Sequence, residues 1–138
     1  MSIVIDASTT LAWVFDDEST PSIDTLFDAV ASDGAVVPGL WQLEVANGLQ
    51  MAIRRGRIDK AYREQALERL GRLNIEIDLE TSTHAWGATL RLADRSGLTP
   101  YDAAYLELAQ RRRLPLATLD RRLGQAATEA GIDSNLLN

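Results

Sequence analysis

Four carboxylates stand out in a chain poor in reactive groups: Asp6, Glu44, Asp102 and Asp120. Asp6 closes the apolar run "SIVID" and Asp120 closes "LPLATLD", while Glu44 and Asp102 each fall in the opening turn of a helix. Glu44 shares a stripe with Leu40, Gly48 and Met51, and Asp102 with Tyr105, Leu106 and Ala109, the spacing that lines one helical face. Such acids have an ordinary explanation, since behind Thr99 as N-cap and Pro100 at the first position Asp102 complements the positive end of the helix dipole. An acid heading an apolar stripe also faces inward, however, and acids gathered at one sheet edge repel by roughly 4 kcal/mol at about 4 Å and an effective dielectric near 20. Something positive must sit among them. A donor set of carboxylates alone suits Mg²⁺ or Mn²⁺ better than zinc or copper. Such ions activate water and stabilise the attacking and leaving oxygens of phosphodiester hydrolysis.

Three further polar residues lie beside these acids. Ser8 and Thr118, each two residues from an aspartate, read either as donors orienting a carboxylate or as a plain N-cap and a plain strand residue. Asn47, near Glu44, reads as a holder of Glu44 or of a water on the ion.

The composition narrows the chemistry. The 138 residues contain no cysteine, which excludes disulfides, thiolate nucleophiles and Cys-ligated metals. The single histidine, His84, reads as an exposed or capping side chain rather than part of a relay. A net charge of −6 argues against indiscriminate nucleic-acid binding. The 14 basic residues are nonetheless bunched, at Arg54, Arg55, Arg57 and Lys60, at Arg111, Arg112 and Arg113, and at Arg121 and Arg122. The apolar runs are too short for a membrane span and "MSIVID" is no signal peptide, so the chain is expected to be cytoplasmic.

The elements that must position the acids alternate. Strands are expected at 2–6, 35–38, 74–79 and 114–120, and helices at 7–15, 20–34, 40–56, 59–73, 82–97, 99–113 and 121–131. Short apolar strands between helices predict one α/β domain over 1–138: a three-layer sandwich with a mostly parallel central sheet of four or five short strands flanked by helices. Ligands of such sheets bind outside the carboxyl ends of the strands, where Asp6 and Asp120 fall.

"VIDAST", "PGLWQLEVANGL", "GLTPYDAAYLELAQRRRLPLATLD" and "RRLGQAATEAG", in that order, resemble the PIN-domain ribonucleases of bacterial toxin–antitoxin pairs, the VapC toxins. The resemblance implies a PIN fold and a Mg²⁺- or Mn²⁺-dependent endoribonuclease. Asp6, Glu44 and Asp102 match the family's three principal acids, Asp120 its more variable fourth, and Ser8 and Thr118 its accessory polar positions. It also implies a homodimer, a cognate antitoxin covering the site, and structured RNA substrates of the tRNA or rRNA class. Two other readings are open: a Mg²⁺-dependent phosphohydrolase of small esters, and a non-catalytic binding module docking through Trp13, Phe15 and Trp41.

Overall fold

The structure, a computed structural model, describes residues 2–137. Its centre is a parallel sheet of β1 (Ile3–Ile5), β2 (Ala35–Val37), β3 (Ile75–Ile77) and β4 (Leu116–Ala117), in the order β3-β2-β1-β4. Strands β1, β2 and β4 are buried throughout, which accounts for their Ile, Val, Leu and Ala content. The edge strand β3 turns Glu76 to solvent. On the opposite edge, the N–H of Leu116 donates to the carbonyl of Asp133 at 2.9 Å, so the C-terminal tail covers β4.

Helices complete the other two layers. They are α1 (Ala7–Val14), α2 (Pro21–Asp33), α3 (Trp41–Arg54), α4 (Lys60–Gly71), α5 (Thr81–His84), α6 (Ala88–Ser96), α7 (Pro100–Arg112) and α8 (Arg121–Glu129). Thr20 caps α2 and Thr99 caps α7, each followed by proline at the first position, and Gly34 ends α2 at φ 82°, a conformation that costs glycine little. Helix α1 packs on α2 and α3, while α7 collects α5, α6 and α8 and lies against β1 and β4. Residues Ala103 to Ala109 of α7 are buried all round, so it is a core helix rather than an amphipathic one. Where α1 meets α3 the contact is at Gly48: a Cβ there would stand 2.4 Å from Leu11 Cδ1.

Four expectations are corrected. The helix expected over 82–97 is two, α5 and α6, because Gly87 at φ −114° and ψ −103° leaves the helical region. The fourth strand shrinks to two residues. Asp6 follows β1, its amide still donating to the Ala117 carbonyl at 3.3 Å, and Asp120 lies three residues past β4; each side chain caps the following helix. Finally, Phe15 and Trp41 are buried and Trp13 stacks on Phe27 with centroids 4.4 Å apart, so these aromatics form core rather than a docking face.

The connection β1-β2-β3 runs outward to one edge, and the chain then returns to the far side of β1 to form β4. The order reverses between β1 and β4, where a crevice opens at the carboxyl ends of the strands.

Candidate active site: an acidic crevice at the strand reversal

Asp6 stands at the root of that crevice, 5 % exposed. Its Oδ1 accepts from the Ser8 hydroxyl at 2.7 Å and from the Thr9 amide at 3.0 Å, the second bond being the N-cap of α1. Its Oδ2 accepts from the Thr118 hydroxyl, brought 112 positions along the chain by β4. Three of its roughly four lone-pair sites are thus filled, and the carboxylate has little freedom to turn. Burial pushes its pKa above the ordinary value; the bonds from Thr118, Thr9 and Ser8 oppose this without overcoming it.

Glu44 arrives from the first turn of α3 and is half-buried. Its Oε1 accepts at 2.6 Å from the hydroxyl of Tyr105, itself 1 % exposed in the middle of α7. Burial raises the Glu44 pKa, the Tyr105 bond opposes that, and the nearby charges of Asp102 and Asp6 raise it further. Burial and the Glu44 carboxylate drive the Tyr105 phenol far above its ordinary value, so it is a permanent donor. Asp102 is half-buried in the first turn of α7, where its amide donates to Thr99 Oγ1 at 3.1 Å. Its pKa is raised by burial, then by the charges of Asp120 and Asp6. Asp120 is exposed; its Oδ1 caps α8 at Leu123 N, 2.9 Å, and its own amide donates to Thr118 Oγ1 at 2.9 Å. Thr118 therefore joins Asp6 and Asp120 directly.

Asp102 feels the charges of Asp120 and Asp6, and Glu44 those of Asp102 and Asp6, so the fold brings the four acids to the same end of the sheet. Among the described residues, no basic side chain forms an ion pair with any of the four. The helix starts of α1, α7 and α8 supply only partial positive charge. Hard carboxylate oxygens, crowded and without a protein counter-charge, fit a divalent cation of the magnesium kind as a donor set. As the side chains stand, no three acids among the described residues are close enough to enclose an ion. The crevice offers donors rather than a finished cage, in keeping with ions that retain several waters.

A second group of acids contrasts with it. Asp78, just after β3, and Glu107, inside α7, are both buried. Arg111 grips Asp78 with two bonds of 3.1 and 2.7 Å and Glu107 with two of 2.8 and 3.0 Å. Arg112 grips Glu76 at 2.9 and 3.3 Å. The Arg111 bond holds Asp78 below the ordinary carboxylate value, despite burial. Two arginines of the expected basic patch at 111–113 are therefore consumed inside the fold. Arg57 is likewise spent on Asp17 and Glu18, at 3.0 and 2.8 Å.

The other expected residues fall variously. Ser8 and Thr118 both hydrogen-bond Asp6; Ser8 is not the cap of α1, and Thr118 lies outside the ladder. Asn47 is exposed on α3 and no bond to Glu44 is formed. His84 is neither exposed nor a cap: it is half-buried, its Nε2 4.0 Å from Glu80 and without a hydrogen-bond partner among the described residues. Sequence reading missed Tyr105, which it placed on the Asp102 stripe only as an apolar face. Its signal is a tyrosine three positions from an inward acid, with a hydroxyl that burial obliges to find a partner.

Residues 3–129 match the PIN domain family. VapC ribonuclease Mb0985 of Mycobacterium bovis is 33 % identical over 128 residues, which span 90 % of this chain and 92 % of that protein. Ribonuclease VapC3 of Pyrobaculum aerophilum is 29 % identical over 125 residues, 91 % and 94 % of the two chains. Among solved structures, the crystal structure of PAE2754 from Pyrobaculum aerophilum superposes with a TM-score of 0.66 at 27 % identity, covering 91 % of this chain and 87 % of that one.

Proposed function

We propose that this chain, which belongs to the PIN-domain family and resembles its VapC members, is a Mg²⁺- or Mn²⁺-dependent endoribonuclease and the toxin of a toxin–antitoxin pair. The observation that carries the reading is the crevice between β1 and β4, where four acids meet without a basic partner among the described residues. Asp6, Glu44, Asp102 and Asp120 would hold the ion, which supplies positive charge to a phosphodiester and acidifies water.

The chain's own residues do the positioning. Ser8, the Thr9 amide and Thr118 fix both oxygens of Asp6, so that carboxylate presents one remaining lone-pair direction. Tyr105 fixes Glu44 from the buried side and leaves its Oε2 free. Asp120, exposed and tied to Thr118 through its amide, stands at the mouth. Burial of Asp6 thins the water around the reacting group and strengthens every charge interaction there. Hydrolysis on this plan leaves a 5′-phosphate and a 3′-hydroxyl.

A cognate antitoxin and a second copy of the chain are the proposed protein partners, structured RNA of the tRNA or rRNA class the substrate, and the cytoplasm the location. No helix among the described residues is long and apolar enough to cross a membrane. The test is cleavage of folded RNA by the purified protein with Mn²⁺. Asp6→Asn and Asp102→Asn are expected to lower the rate at least about a thousandfold while unfolding remains cooperative. Parent-like cutting by both variants refutes the reading, and turnover of nitrophenyl phosphate without RNA cleavage replaces it with a phosphohydrolase.

A further inference from the structure

Glu44 and Tyr105 join the start of α3 to the middle of α7 through their bond of 2.6 Å. One bond lets two helices pivot about it. A second tie between the same helices runs through the corner between β3 and α5. Arg111, farther along α7, holds Asp78 with bonds of 3.1 and 2.7 Å, and Glu107, one turn back, steadies the same guanidinium at 2.8 and 3.0 Å. Asp78 Oδ2 in turn accepts from the Thr81 hydroxyl at 3.4 Å, and Thr81 Oγ1 accepts from the Gly39 amide at 2.8 Å. A hydroxyl donates once and accepts twice, so Thr81 fills both roles together. Gly39 stands in the loop that leads from β2 into α3, and the Asp78 amide donates to the Val37 carbonyl at 2.8 Å, at the β2 end of that loop.

Helix α3 needs such a hold. Its N-cap position is Leu40, which has no side-chain oxygen for the first-turn amides, whereas Asp6, Thr99 and Asp120 cap α1, α7 and α8. The Trp41 indole donates to Thr10 Oγ1 at 3.1 Å and fastens α3 to α1, while Thr81 fastens the loop before it. From Tyr105 to Arg111 is about 9 Å of helix. Two ties so spaced fix the height and rotation of α3, where the Glu44–Tyr105 bond alone fixes one distance. We propose that Thr81 is a positioning residue for the crevice: by holding Gly39 against the Arg111-bound Asp78, it keeps the Glu44 carboxylate where it serves the ion. This rests on the ion-dependent ribonuclease reading and adds to it a residue outside the four acids and the groups that bond them. The need is electrostatic, because the charges of Asp102 and Asp6 repel Glu44 and would drive a loosely held helix start away from them.

The experiment compares the full chain with its Thr81→Val and Thr81→Ser variants by calorimetric titration of Mn²⁺, by RNA cleavage with Mn²⁺ and by thermal melting. All are measured well below their melting temperatures, so that affinity reports geometry and not unfolding. Valine keeps the shape and helix propensity of threonine without its hydroxyl. Thr81→Val is expected to lower Mn²⁺ affinity and kcat each about tenfold, with KM for RNA within about twofold of the parent. Its melting temperature should fall by only a few degrees. Thr81→Ser, which keeps the hydroxyl, should restore both affinity and kcat. Parent Mn²⁺ affinity in Thr81→Val overturns the proposal, and so does an equal loss in Thr81→Ser, which would make side-chain shape the cause. If the parent binds Mn²⁺ and cuts no RNA, the ribonuclease reading falls while the affinities still decide the role of Thr81. If the parent binds no Mn²⁺, both fall.

Discussion

The fold contains two groups of acids that differ in who balances them. Asp78, Glu107 and Glu76 receive Arg111 and Arg112 through paired bonds of 2.7–3.3 Å, and the group is closed upon itself. Asp6, Glu44, Asp102 and Asp120 receive hydroxyls, amides and helix starts, but no guanidinium. Their pKa directions separate accordingly: Asp78 is lowered by its arginine, while Asp6, Glu44 and Asp102 are raised by burial. Both groups touch α7, so one helix carries a neutralised cluster near its C-terminus and an uncompensated one near its start. Acids that serve the fold bring their own cation; on the proposed function the other four would take theirs from a bound ion.

The comparison is broken most forcefully at Arg111. Arg111→Ala strands two buried carboxylates and is expected to cost about 3–5 kcal/mol of stability, read from denaturant unfolding. Replacing Arg111, Asp78 and Glu107 together by apolar residues should recover most of that, because an absent charge needs no partner. A loss below about 1 kcal/mol for Arg111→Ala would mean that the two groups do not differ in the way described.

Divalent ion is the next test. At about 100 times its Kd, Mn²⁺ should add roughly 2.7 kcal/mol and raise the melting temperature several degrees, with most of that rise lost in Asp6→Asn. The sign with pH follows from the directions above. For Asp6, Glu44 and Asp102, raised in the folded state, the stabilising contribution is present below the ordinary carboxylate pKa and is lost as pH rises through their raised values. For Asp78, which is lowered, it is present above the ordinary value and lost as pH falls through the lowered one. As far as these three groups set it, ion-free protein is therefore expected to melt higher at the ordinary carboxylate pKa than at neutral pH, and Mn²⁺ to offset the difference. Ion-free melting that rises steadily to pH 8 would contradict the assignment.

Smaller effects sharpen the contrast. Tyr105→Phe removes the hydroxyl bond to Glu44 and should weaken Mn²⁺ binding about tenfold by calorimetric titration, at a stability cost of about 1 kcal/mol. Equal Mn²⁺ affinity in that variant would reduce the tyrosine to packing. Glu44→Gln keeps an acceptor for Tyr105 while deleting a repelled charge. Without ion it should gain a few tenths of a kcal/mol in thermal unfolding, and with ion it should cut RNA poorly.

Much of this was legible in the chain. The apolar runs at 2–6, 35–38 and 74–79 gave their strands within a residue or two, and Thr99-Pro100 announced α7. The acids drew attention because each broke an apolar pattern. The last strand was over-read, since "LPLATLD" is continuously strand-like in composition while Thr118 and Asp120 turn their groups to Asp6 and α8 instead of the ladder. The helix expected over 82–97 ran through Gly87, which in fact stands at the start of α6. The fate of the arginines was hidden. The pair Glu107–Arg111 lies at i, i+4 and was available to inspection, but Asp78 reaches Arg111 across 33 positions and no local spacing predicts that. Tyr105 was hidden for the same reason, because its partner lies 61 positions away.

The bond from Thr118 to Asp6 has a consequence for biosynthesis. The first strand emerges from the ribosome early, yet its aspartate lacks the Thr118 hydroxyl and the neighbouring Asp120 until β4 has been made and laid against β1. A nascent chain stopped anywhere before that point lacks the donor that holds Asp6 Oδ2. The pairing of β4 with β1 thus completes the surroundings of Asp6, and the long sequence separation it spans makes that step slow relative to local helix formation.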